Sequence, residues 1–385
     1  MKALLEDPRV PRKMNMRALS QYLSFGYVTG EETMLGEVKK LAPGHYLTVE
    51  EKQEIIPKQY WDLKKCFLNK RKFSSSFEAS QELLQLLQDA IKLRLVSDVS
   101  LGAFLSGGID SSSIVAGMCH SQPSETHQTF SMGFREESFS ELKMAKRVAR
   151  HLKVIHKDQI VLPNLVENLS EIAYFADEPF ADTSIIPMYY LAEFSRKHVT
   201  VCLSGDGADE ILGGYETYLA DKICRYTGFL SIAQKNLIHG LVKKFLPTTF
   251  NKVGFDYKVR KFFEGHSPDL DRAHASWRVI FSEPEKKALL CPEVFSRWSQ
   301  RDPQDNFLKL AREVKECHYL DRAMYMDIKT WLPDDILAKV DRASMAHGME
   351  IRNPFLDYRL VEFAASLPVP LKIRGFNKKY LLKVS

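Results

Sequence analysis

Two glycine-rich loops hold the side chains best suited to chemistry, and the first of them follows an apolar run at Leu101–Leu105. This loop reads Ser106-Gly107-Gly108-Ile109-Asp110-Ser111-Ser112. Glycines permit tight turns, and the free N–H groups of a helix that begins here would point at an anion above the strand end. Asp110 would repel a bare phosphate, so we expect Mg²⁺ to bridge its carboxylate to phosphate oxygens. The pattern favours a site for magnesium and phosphate or pyrophosphate over an ordinary capped turn.

The second loop follows Val199–Leu203 and contains three carboxylates within five residues: Asp206, Asp209 and Glu210. A solvated acidic turn would explain this loop by itself. However, parallel strands present their carboxyl ends at one edge of a sheet, so both loops can face one crevice. Clustered carboxylates repel one another unless a metal or an amine neutralises them. We therefore predict that Asp110 and Asp209 lie close enough to share one magnesium-bound nucleotide.

Charged residues are also dense between Trp331 and Asp357, which predicts buried ion pairs that are structural for Asp341, Arg352 and Asp357. Near the C-terminus, Lys378 and Lys379 supply cations for a nucleotide α-phosphate, although such lysines are usually exposed. The sequence has no HxxxH or HExxH spacing and no GxSxG motif. Zinc chemistry and a serine hydrolase are therefore not expected.

The elements that would position these loops alternate between strands and helices from residue 76 onward. This alternation predicts an α/β fold, a mainly parallel sheet with helices on both faces. The predicted strands are Leu101–Leu105, Thr129–Phe134, Val154–Ile160 and Val199–Leu203. The predicted helices include residues 82–95, 114–118, 141–152, 165–175 and 187–196, and helical packing is expected over 221–320.

The first sixty residues differ from the rest and predict a small β-rich remnant. Its extended pieces are expected at Tyr22–Val28, Gly44–Val49 and Gln53–Ile56. About sixty residues make a poor independent core, so we interpret this part as the tail of a domain whose beginning is missing. The polar run over residues 69–76 is predicted to be a solvated linker.

Composition excludes several classes of protein. The 385 residues carry a net charge of only +5, which is too mild for nucleic acid or a membrane surface as the main partner. No apolar run reaches the roughly 18–20 residues that span a bilayer, and residues 1–12 lack the apolar core of a signal peptide. The six cysteines are scattered, so a cytoplasmic protein without a disulfide framework is expected.

In combination, these segments resemble the synthetase domain of glutamine-hydrolysing asparagine synthetases, whose fold is adenine nucleotide alpha hydrolase-like, of the ATP pyrophosphatase group. The segments that carry the resemblance are Leu105–Ser112, Leu203–Tyr215 and Lys339–Asp357. The resemblance implies a C-terminal remnant of a class II glutamine amidotransferase domain at 1–60, a linker at 61–80 and an ATP-dependent synthetase domain at 81–385.

The resemblance also implies a reaction: ATP adenylates the aspartate side-chain carboxylate, and ammonia then gives asparagine, AMP and pyrophosphate. The implied ligands are ATP and Mg²⁺, and a homodimer is an expected assembly. The residues implied for pyrophosphate are Ser106, Gly107, Gly108, Asp110, Ser111 and Ser112, with Asp110 and Asp209 on the metal. The residues implied for adenosine are Leu105, Met132, Ser204 and Gly205. The residues implied for catalysis are Asp206 and Lys379, with Arg342 as a further candidate.

Three departures from the family pattern affect these expectations. The family's glutaminase nucleophile is an N-terminal cysteine, whereas this chain starts at Met1 and has no cysteine before Cys66. We therefore expect that this polypeptide does not hydrolyse glutamine itself. The chain also stops at Ser385, where the family normally continues, so we interpret it as a fragment or truncated gene product. If folding or activity requires the missing ends, we expect this chain to be unstable or inactive. Residues 183–185 stand where some members carry an arginine that helps to hold aspartate.

Two alternatives to aspartate amidation stay open. The same adenylating fold could act on another carboxylate, in a peptide, a β-lactam precursor or a sugar-linked substrate. The chain could also be a remnant that binds nucleotide without turnover. The intact Ser-Gly-Gly-Ile-Asp-Ser loop and the carboxylates Asp206 and Asp209 favour an active enzyme, because folding alone does not require them.

Overall fold

A computed structural model describes residues 1–50, 55–136, 138–161, 165–228, 254–296 and 302–385, together with positions 234 and 240. The strands in these ranges are β1 His45–Tyr46, β2 Lys58–Gln59, β3 Leu101–Phe104, β4 Gln128–Gly133, β5 Ile155–Ile160, β6 Val201–Leu203 and β7 Glu350–Arg352. Strands β3 to β7 form one parallel sheet in the order β5-β4-β3-β6-β7, whereas β1 and β2 form a short antiparallel pair.

The helices in the described ranges surround this sheet. Those up to residue 226 are α1 Lys2–Leu5, α2 Met16–Phe25, α3 Lys64–Leu68, α4 Ser76–Arg94, α5 Ile109–Ser121, α6 Leu142–Leu152, α7 Leu165–Ala176, α8 Ile185–Arg196, α9 Ala208–Leu212 and α10 Glu216–Tyr226. The later ones are α11 Phe255–Gly265, α12 Leu270–Ser276, α13 Glu283–Leu289, α14 Pro292–Ser296, α15 Asp305–Glu313, α16 Tyr319–Lys329, a π-helix Leu332–Leu337, α17 Ala338–Met345, a 3-10 turn Pro354–Leu356, α18 Tyr358–Ser366, α19 Val369–Lys372 and α20 Tyr380–Val384. None of the helices described is long and apolar enough to cross a membrane.

Apolar side chains cover both faces of the sheet, because successive residues of a strand point to opposite sides. On one face, Ala103 and Leu105 join a core formed with α4, α5 and α6. On the other face, Phe104 and Phe130 pack against α8. The predicted α/β fold, with a parallel sheet and helices on both faces, is confirmed.

The four predicted strands are present, each within two residues of its expected bounds at either end. The edge strand β7 was not predicted, because its three residues, Glu350-Ile351-Arg352, carry no run of β-forming side chains. Helical packing over 221–320 is confirmed in the described parts of that range.

The predicted extended piece at Tyr22–Val28 is wrong, because most of it belongs to helix α2. Asn15 caps this helix by accepting hydrogen bonds from the N–H groups of Arg17 and Ala18. Gly26 ends the helix in the left-handed conformation, with φ of 85°. Of the other two expected pieces, Gly44–Val49 contains β1, and the first half of Gln53–Ile56 lies outside the described residues.

The N-terminal part shares a core with the C-terminal half of the chain. Phe25 and Tyr27 pack with Phe307, Ala311 and Met326 of α15 and α16. The run predicted as a solvated linker is also attached to the main body. Lys70 Nζ lies 3.0 Å from Asp321 Oδ1, and burial together with nearby Lys372 lowers the pKa of Lys70 to about 8.

Candidate active site

The two glycine loops meet because they follow neighbouring strands. β3 and β6 pair in parallel, with Ala103 opposite Leu203, so Ser106 and Ser204 emerge at the same edge of the sheet. At Gly205, an added Cβ would lie only 3.0 Å from Asp110 Cβ and from Ser111 N. The second loop therefore lies directly against the start of helix α5. The sequence predicted that the two loops face one crevice.

The first loop has the shape of an anion-binding turn. Gly107 has φ of 80°, and a Cβ there would lie 2.6 Å from the carbonyl carbon of Met144, so only glycine fits. The hydroxyls of Ser106 and Ser111 lie 3.0 Å apart and brace the turn. The 13-residue helix α5 then starts at Ile109 with its free N–H groups at the loop. Among the described residues, no group bonds the buried Asp110 Oδ1 or Ser112 Oγ.

Lys379 joins the two loops. Its Nζ lies 2.5 Å from Asp110 Oδ2 and 2.7 Å from Asp209 Oδ1, and its side chain is only 8% exposed. Gly214 makes room for this contact. A Cβ at Gly214 would lie 1.8 Å from Asp209 Oδ1 and 2.0 Å from Lys379 Cε, so an alanine would displace both side chains.

Burial makes the carboxyls of the site costly to ionise. It raises the pKa of Asp110, although Lys379 acts in the opposite direction. Burial also raises the pKa of Asp206, whose Oδ2 accepts a hydrogen bond of 2.7 Å from Ser204 Oγ and feels the charge of Lys339. Added positive charge beside these side chains would therefore stabilise their ionised forms.

The loops border a cleft of about 390 Å³, a size usual for small-molecule sites. Part of its wall is apolar and aromatic, which suits a nucleotide base. The apolar residues of that part are Phe104, Phe130, Met132, Phe134, Phe139, Pro187, Met188 and Leu191. A larger cavity of about 1060 Å³ lies beside α11 to α13, but none of the described residues that line it belongs to either glycine loop.

The wall of the cleft also carries a second charged cluster. Lys339 and Ser184 line it, and Lys339 Nζ lies 2.7 Å from Ser184 Oγ and 3.0 Å from Asp182 Oδ2. Burial would raise the pKa of Asp182, but Lys339 and Ser184 outweigh it and lower that pKa. Asp335 is fully buried beside them, and its two oxygens accept no hydrogen bond from the described residues. Burial and the charge of Asp182 raise the pKa of Asp335 to about 8, so Asp335 holds a proton at neutral pH.

The buried carboxyl of Glu210 also borders the cleft. Tyr215 donates a hydrogen bond of 2.7 Å to Glu210 Oε1, and Trp331 Nε1 donates one of 3.2 Å to the Tyr215 hydroxyl. Burial raises the pKa of Glu210 to about 7. Glu210 is thus the last acceptor in a chain of hydrogen bonds that runs from Trp331 through Tyr215.

Most of the predicted site residues come together in this cleft. Those on its wall are Leu105, Ser106, Asp110, Ser111, Met132, Ser204, Gly205, Asp206 and Asp209. Gly107, Gly108 and Ser112 shape the first loop and the start of α5 behind that wall. Arg342 is not brought to the cleft, since its guanidinium bonds the carbonyl of Ala176 at the end of α7.

Sequence reasoning missed Lys339, Asp182 and Asp335 as members of the site. Lys339 stands three residues before Arg342, about one helical turn along α17, and is the cation that reaches the cleft. A usable signal was present, because Lys339 opens the Lys339–Asp357 signature. For Asp182 and Asp335 the sequence offers no such signal.

The donor set fits magnesium bound together with a polyphosphate. Asp110 and Asp209 converge on one cation, the ammonium of Lys379, and Asp110 Oδ1 has no partner among the described residues. Nowhere in the described ranges do three or more Asp, Glu, His or Cys side chains form a group that could hold a metal. Two carboxylates with phosphate oxygens and water are the usual magnesium ligands in nucleotide enzymes, so these residues suit a metal that arrives with its nucleotide.

Two family models match the sequence. The asparagine synthase model matches residues 82–385, which include both glycine loops, Lys339 and Lys379. The glutamine amidotransferase domain model matches residues 1–61.

Curated relatives align over nearly the whole chain. Asparagine synthetase (glutamine-hydrolyzing) 1 of Bacillus subtilis is 33% identical over 380 residues, covering 96% of this chain and 56% of its own length. Asparagine synthetase (glutamine-hydrolyzing) 3 of the same organism is 24% identical over 99% of this chain and 57% of its own length. Amidase chry2 of Gibberella zeae is 27% identical over 90% of this chain and 54% of its own length. The chain thus spans little more than half the length of these relatives.

Among solved structures, NMN synthetase from Francisella tularensis aligns over 72% of this chain and 94% of its own, with 13% identity and a TM-score of 0.27. That likeness is too low to carry an argument.

Proposed function

The chain belongs to the asparagine synthase family, and we propose that it catalyses ATP-dependent amide formation on the side-chain carboxylate of aspartate. The products are asparagine, AMP and pyrophosphate. The observation that carries the proposal is the convergence of Asp110, Asp209 and Lys379 at the mouth of an anion-binding turn.

In the first step, a carboxylate oxygen of aspartate attacks the α-phosphorus of ATP. The bond to the bridging oxygen breaks, and pyrophosphate leaves with the electron pair. The turn at Ser106–Ser112 supplies N–H and hydroxyl donors for the departing pyrophosphate. Lys379 is assigned to the α-phosphate, where its charge offsets the negative charge that develops.

Asp110 and Asp209 are assigned to Mg²⁺, which when bound neutralises phosphate charge and orients the polyphosphate chain. The base of ATP is assigned to the apolar part of the cleft wall. The residues assigned to it are Leu105, Met132, Ser204 and Gly205.

In the second step, ammonia attacks the acyl carbon of the aspartyl-adenylate. The carbon–oxygen bond to AMP breaks, and the nitrogen loses a proton as the amide forms. Asp206 is assigned to this stage, because it lines the cleft and feels the charges of both Lys339 and Asp209. Lys339 and Ser184 are assigned to the aspartate end of the cleft.

Exchange of labelled pyrophosphate into ATP tests the first step. We expect exchange that requires aspartate and magnesium, and that is lost in Asp110→Ala. The matched control is Asp98→Ala, which removes an exposed aspartate just before β3 and should exchange like the parent chain. Exchange without aspartate, or none with it, would contradict the substrate assignment. Binding of ATP without pyrophosphate release would instead support a nucleotide-binding remnant.

A second candidate function is amide formation on a different carboxylate. Amidase chry2 aligns with 90% of this chain, and residues 183–185 lack the arginine that some members carry near the substrate. A panel of peptide, β-lactam-precursor and sugar-linked acids in the same exchange assay separates this candidate from aspartate amidation.

The organisation of the chain follows from the same proposal. Residues 1–60 are assigned to a glutamine amidotransferase-like segment, 61–80 to a linker and 81–385 to the synthetase domain. Ammonia is the proposed nitrogen donor, with glutamine as its proposed source. The cytoplasmic location and the homodimer stay predictions.

A further inference from the structure

The π-helix Leu332–Leu337 places two consecutive carboxyls on different parts of the molecule. Asp334 contacts the N-terminal part: its Oδ2 accepts from Gly30 N and its Oδ1 from Lys40 Nζ, both at 2.7 Å. Lys40 Nζ also donates to the Val28 carbonyl at 2.8 Å. The side chain of Asp334 is only 10% exposed, so these contacts are largely shielded from water.

Asp335, the next residue, belongs to the charged cluster beside the cleft. It is fully buried beside Asp182 and Lys339. Lys339 follows in α17, which continues directly from the π-helix. A shift of the π-helix would therefore move Asp335 and Lys339 together. Short π-helical turns are rare and are frequently found at functional sites, which agrees with this position.

The other half of the cluster is attached to the same N-terminal part. Ala181, which precedes Asp182, donates its N–H to the Gly26 carbonyl at 2.8 Å. A Cβ on Gly26 would lie 3.3 Å from Ala181 Cβ, so the two backbones are in close contact. Residues 26–40, named the docking segment here, therefore bond both elements that carry the cluster.

We propose that Asp334 is a positioning residue, and that its contact with Lys40 of the docking segment sets the geometry of the acceptor end of the cleft. The inference rests on the proposed function, because it takes Lys339 and Asp182 as the acceptor end. It adds that an amidotransferase-like segment controls the affinity of the synthetase site for its acceptor. Coupling of this kind is reciprocal, so acceptor binding also strengthens docking of residues 26–40.

The test uses the full chain, with aspartate as acceptor, ammonium chloride as nitrogen source and Mg-ATP. Lys40→Met and Asp334→Asn should each raise the KM for aspartate about tenfold, within the usual range of coupling between sites, while the KM for ATP changes less than about twofold. The double variant should be no worse than the single ones, because both remove one contact. Lys40→Arg should restore most of the affinity.

The matched control is Glu32→Gln, which breaks the 3.1 Å ion pair with Arg17 inside the N-terminal part but does not touch the π-helix. It should leave both KM values unchanged. Equal rises in the KM for aspartate and ATP, additive effects of the two substitutions, or an equal effect of Glu32→Gln would overturn the inference.

Hydrogen exchange separates this inference from the proposed function. In Lys40→Met, amides of residues 177–184 and 331–340 should exchange faster than in the parent chain, whatever the acceptor is. If the parent chain shows no aspartate-dependent exchange of pyrophosphate, the substrate assignment fails, and protection of these two segments still decides the inference. Unchanged protection of both segments would overturn it.

Discussion

Lys379 and Asp110 lie 269 residues apart in the sequence, yet Nζ of the lysine is 2.5 Å from Oδ2 of the aspartate. The same ammonium is 2.7 Å from Asp209. One lysine therefore connects the first glycine loop, the second glycine loop and the start of α20. A buried ammonium between two partly exposed carboxylates is the arrangement expected where a polyphosphate and its metal are to be bound.

Replacing Lys379 tests whether this ammonium acts in catalysis. Lys379→Met should lower the rate of aspartate-dependent pyrophosphate exchange by about a hundredfold to a thousandfold, because charge on the α-phosphate is no longer offset. Lys378→Met is the control: this neighbouring lysine pairs with Glu216 instead and should keep its exchange rate. Equal losses in the two variants would show that the region matters only for folding.

Lys339 and Arg342 are alternative cations for the site. The cleft position of Lys339 predicts that Lys339→Met raises the KM for the acceptor about tenfold to a hundredfold, the usual loss for a hydrogen bond to a charged group. Arg342→Met, which only frees the Ala176 carbonyl, should keep the KM of the parent chain. Steady-state kinetics at saturating ATP measures both, and the reverse order would restore Arg342 as the catalytic candidate.

Gly214 is predicted to be indispensable for the geometry of Asp209 and Lys379. Gly214→Ala should lower kcat by about a hundredfold, since a shift of about 1 Å in a reacting group costs that much. Gly36→Ala serves as the control, because a Cβ there meets only the Lys13 carbonyl at 3.7 Å. Circular dichroism would verify that both variants fold, and a fully active Gly214→Ala would contradict the contact described here.

Asp335 is predicted to make the stability of the fold depend on pH. Its pKa is raised to about 8 from an ordinary value near 3.8, so the folded state holds a proton that the unfolded state releases between these values. The free energy of unfolding therefore falls as pH rises from about 4 to about 8. Asp335→Asn removes this loss, so its melting temperature should exceed that of the parent chain increasingly over that range. A constant difference at all pH values would contradict the assigned protonation.

His274 predicts a pH dependence of the same sign in a higher pH range. It bonds Asp221 at 2.7 Å and Asp327 at 3.1 Å, and these carboxylates outweigh burial and raise its pKa to about 10. Its stabilisation is complete below its ordinary value near 6.5 and is lost as pH rises through about 10. His274→Ala should cost about 3–5 kcal/mol near neutral pH, measured by denaturant unfolding, because it removes the positive charge beside buried Asp221 and one of the two cations beside buried Asp327. His120→Ala, at an exposed position, should cost nothing measurable.

How far the sequence predicts the structure depends on the distance between interacting residues. The first loop was predictable because strand, glycines, carboxylate and helix are contiguous over Leu101–Ser112. Lys379 was expected only through the family resemblance, since exposure is the usual fate of a lysine near a terminus. The cluster of Asp182, Asp335 and Lys339 was missed because its members come from separate elements, and its meaning lies in contacts that no local pattern encodes.

The error at Tyr22–Val28 has a similar origin. The aromatic residues of that stretch favour strands, but the Asn15 cap, the Gly26 stop and the packing of Phe25 on Phe307 select a helix. Local capping and tertiary packing together therefore outweigh the strand preference of the aromatic side chains.

The pairing of β6 with β7 has a consequence for how the chain acquires its native state. Val201 is opposite Glu350, and Ser204 donates its N–H to the Arg352 carbonyl at 2.9 Å. Contacts that close such long loops are slow to form, so the edge strand is expected to join at a late stage of folding. Until β7 pairs with β6, the segment that starts at Ser204 lacks its backbone hydrogen bond to Arg352. Refolding followed by intrinsic fluorescence should then run ahead of the recovery of nucleotide affinity, and the lag would report the arrival of this last strand.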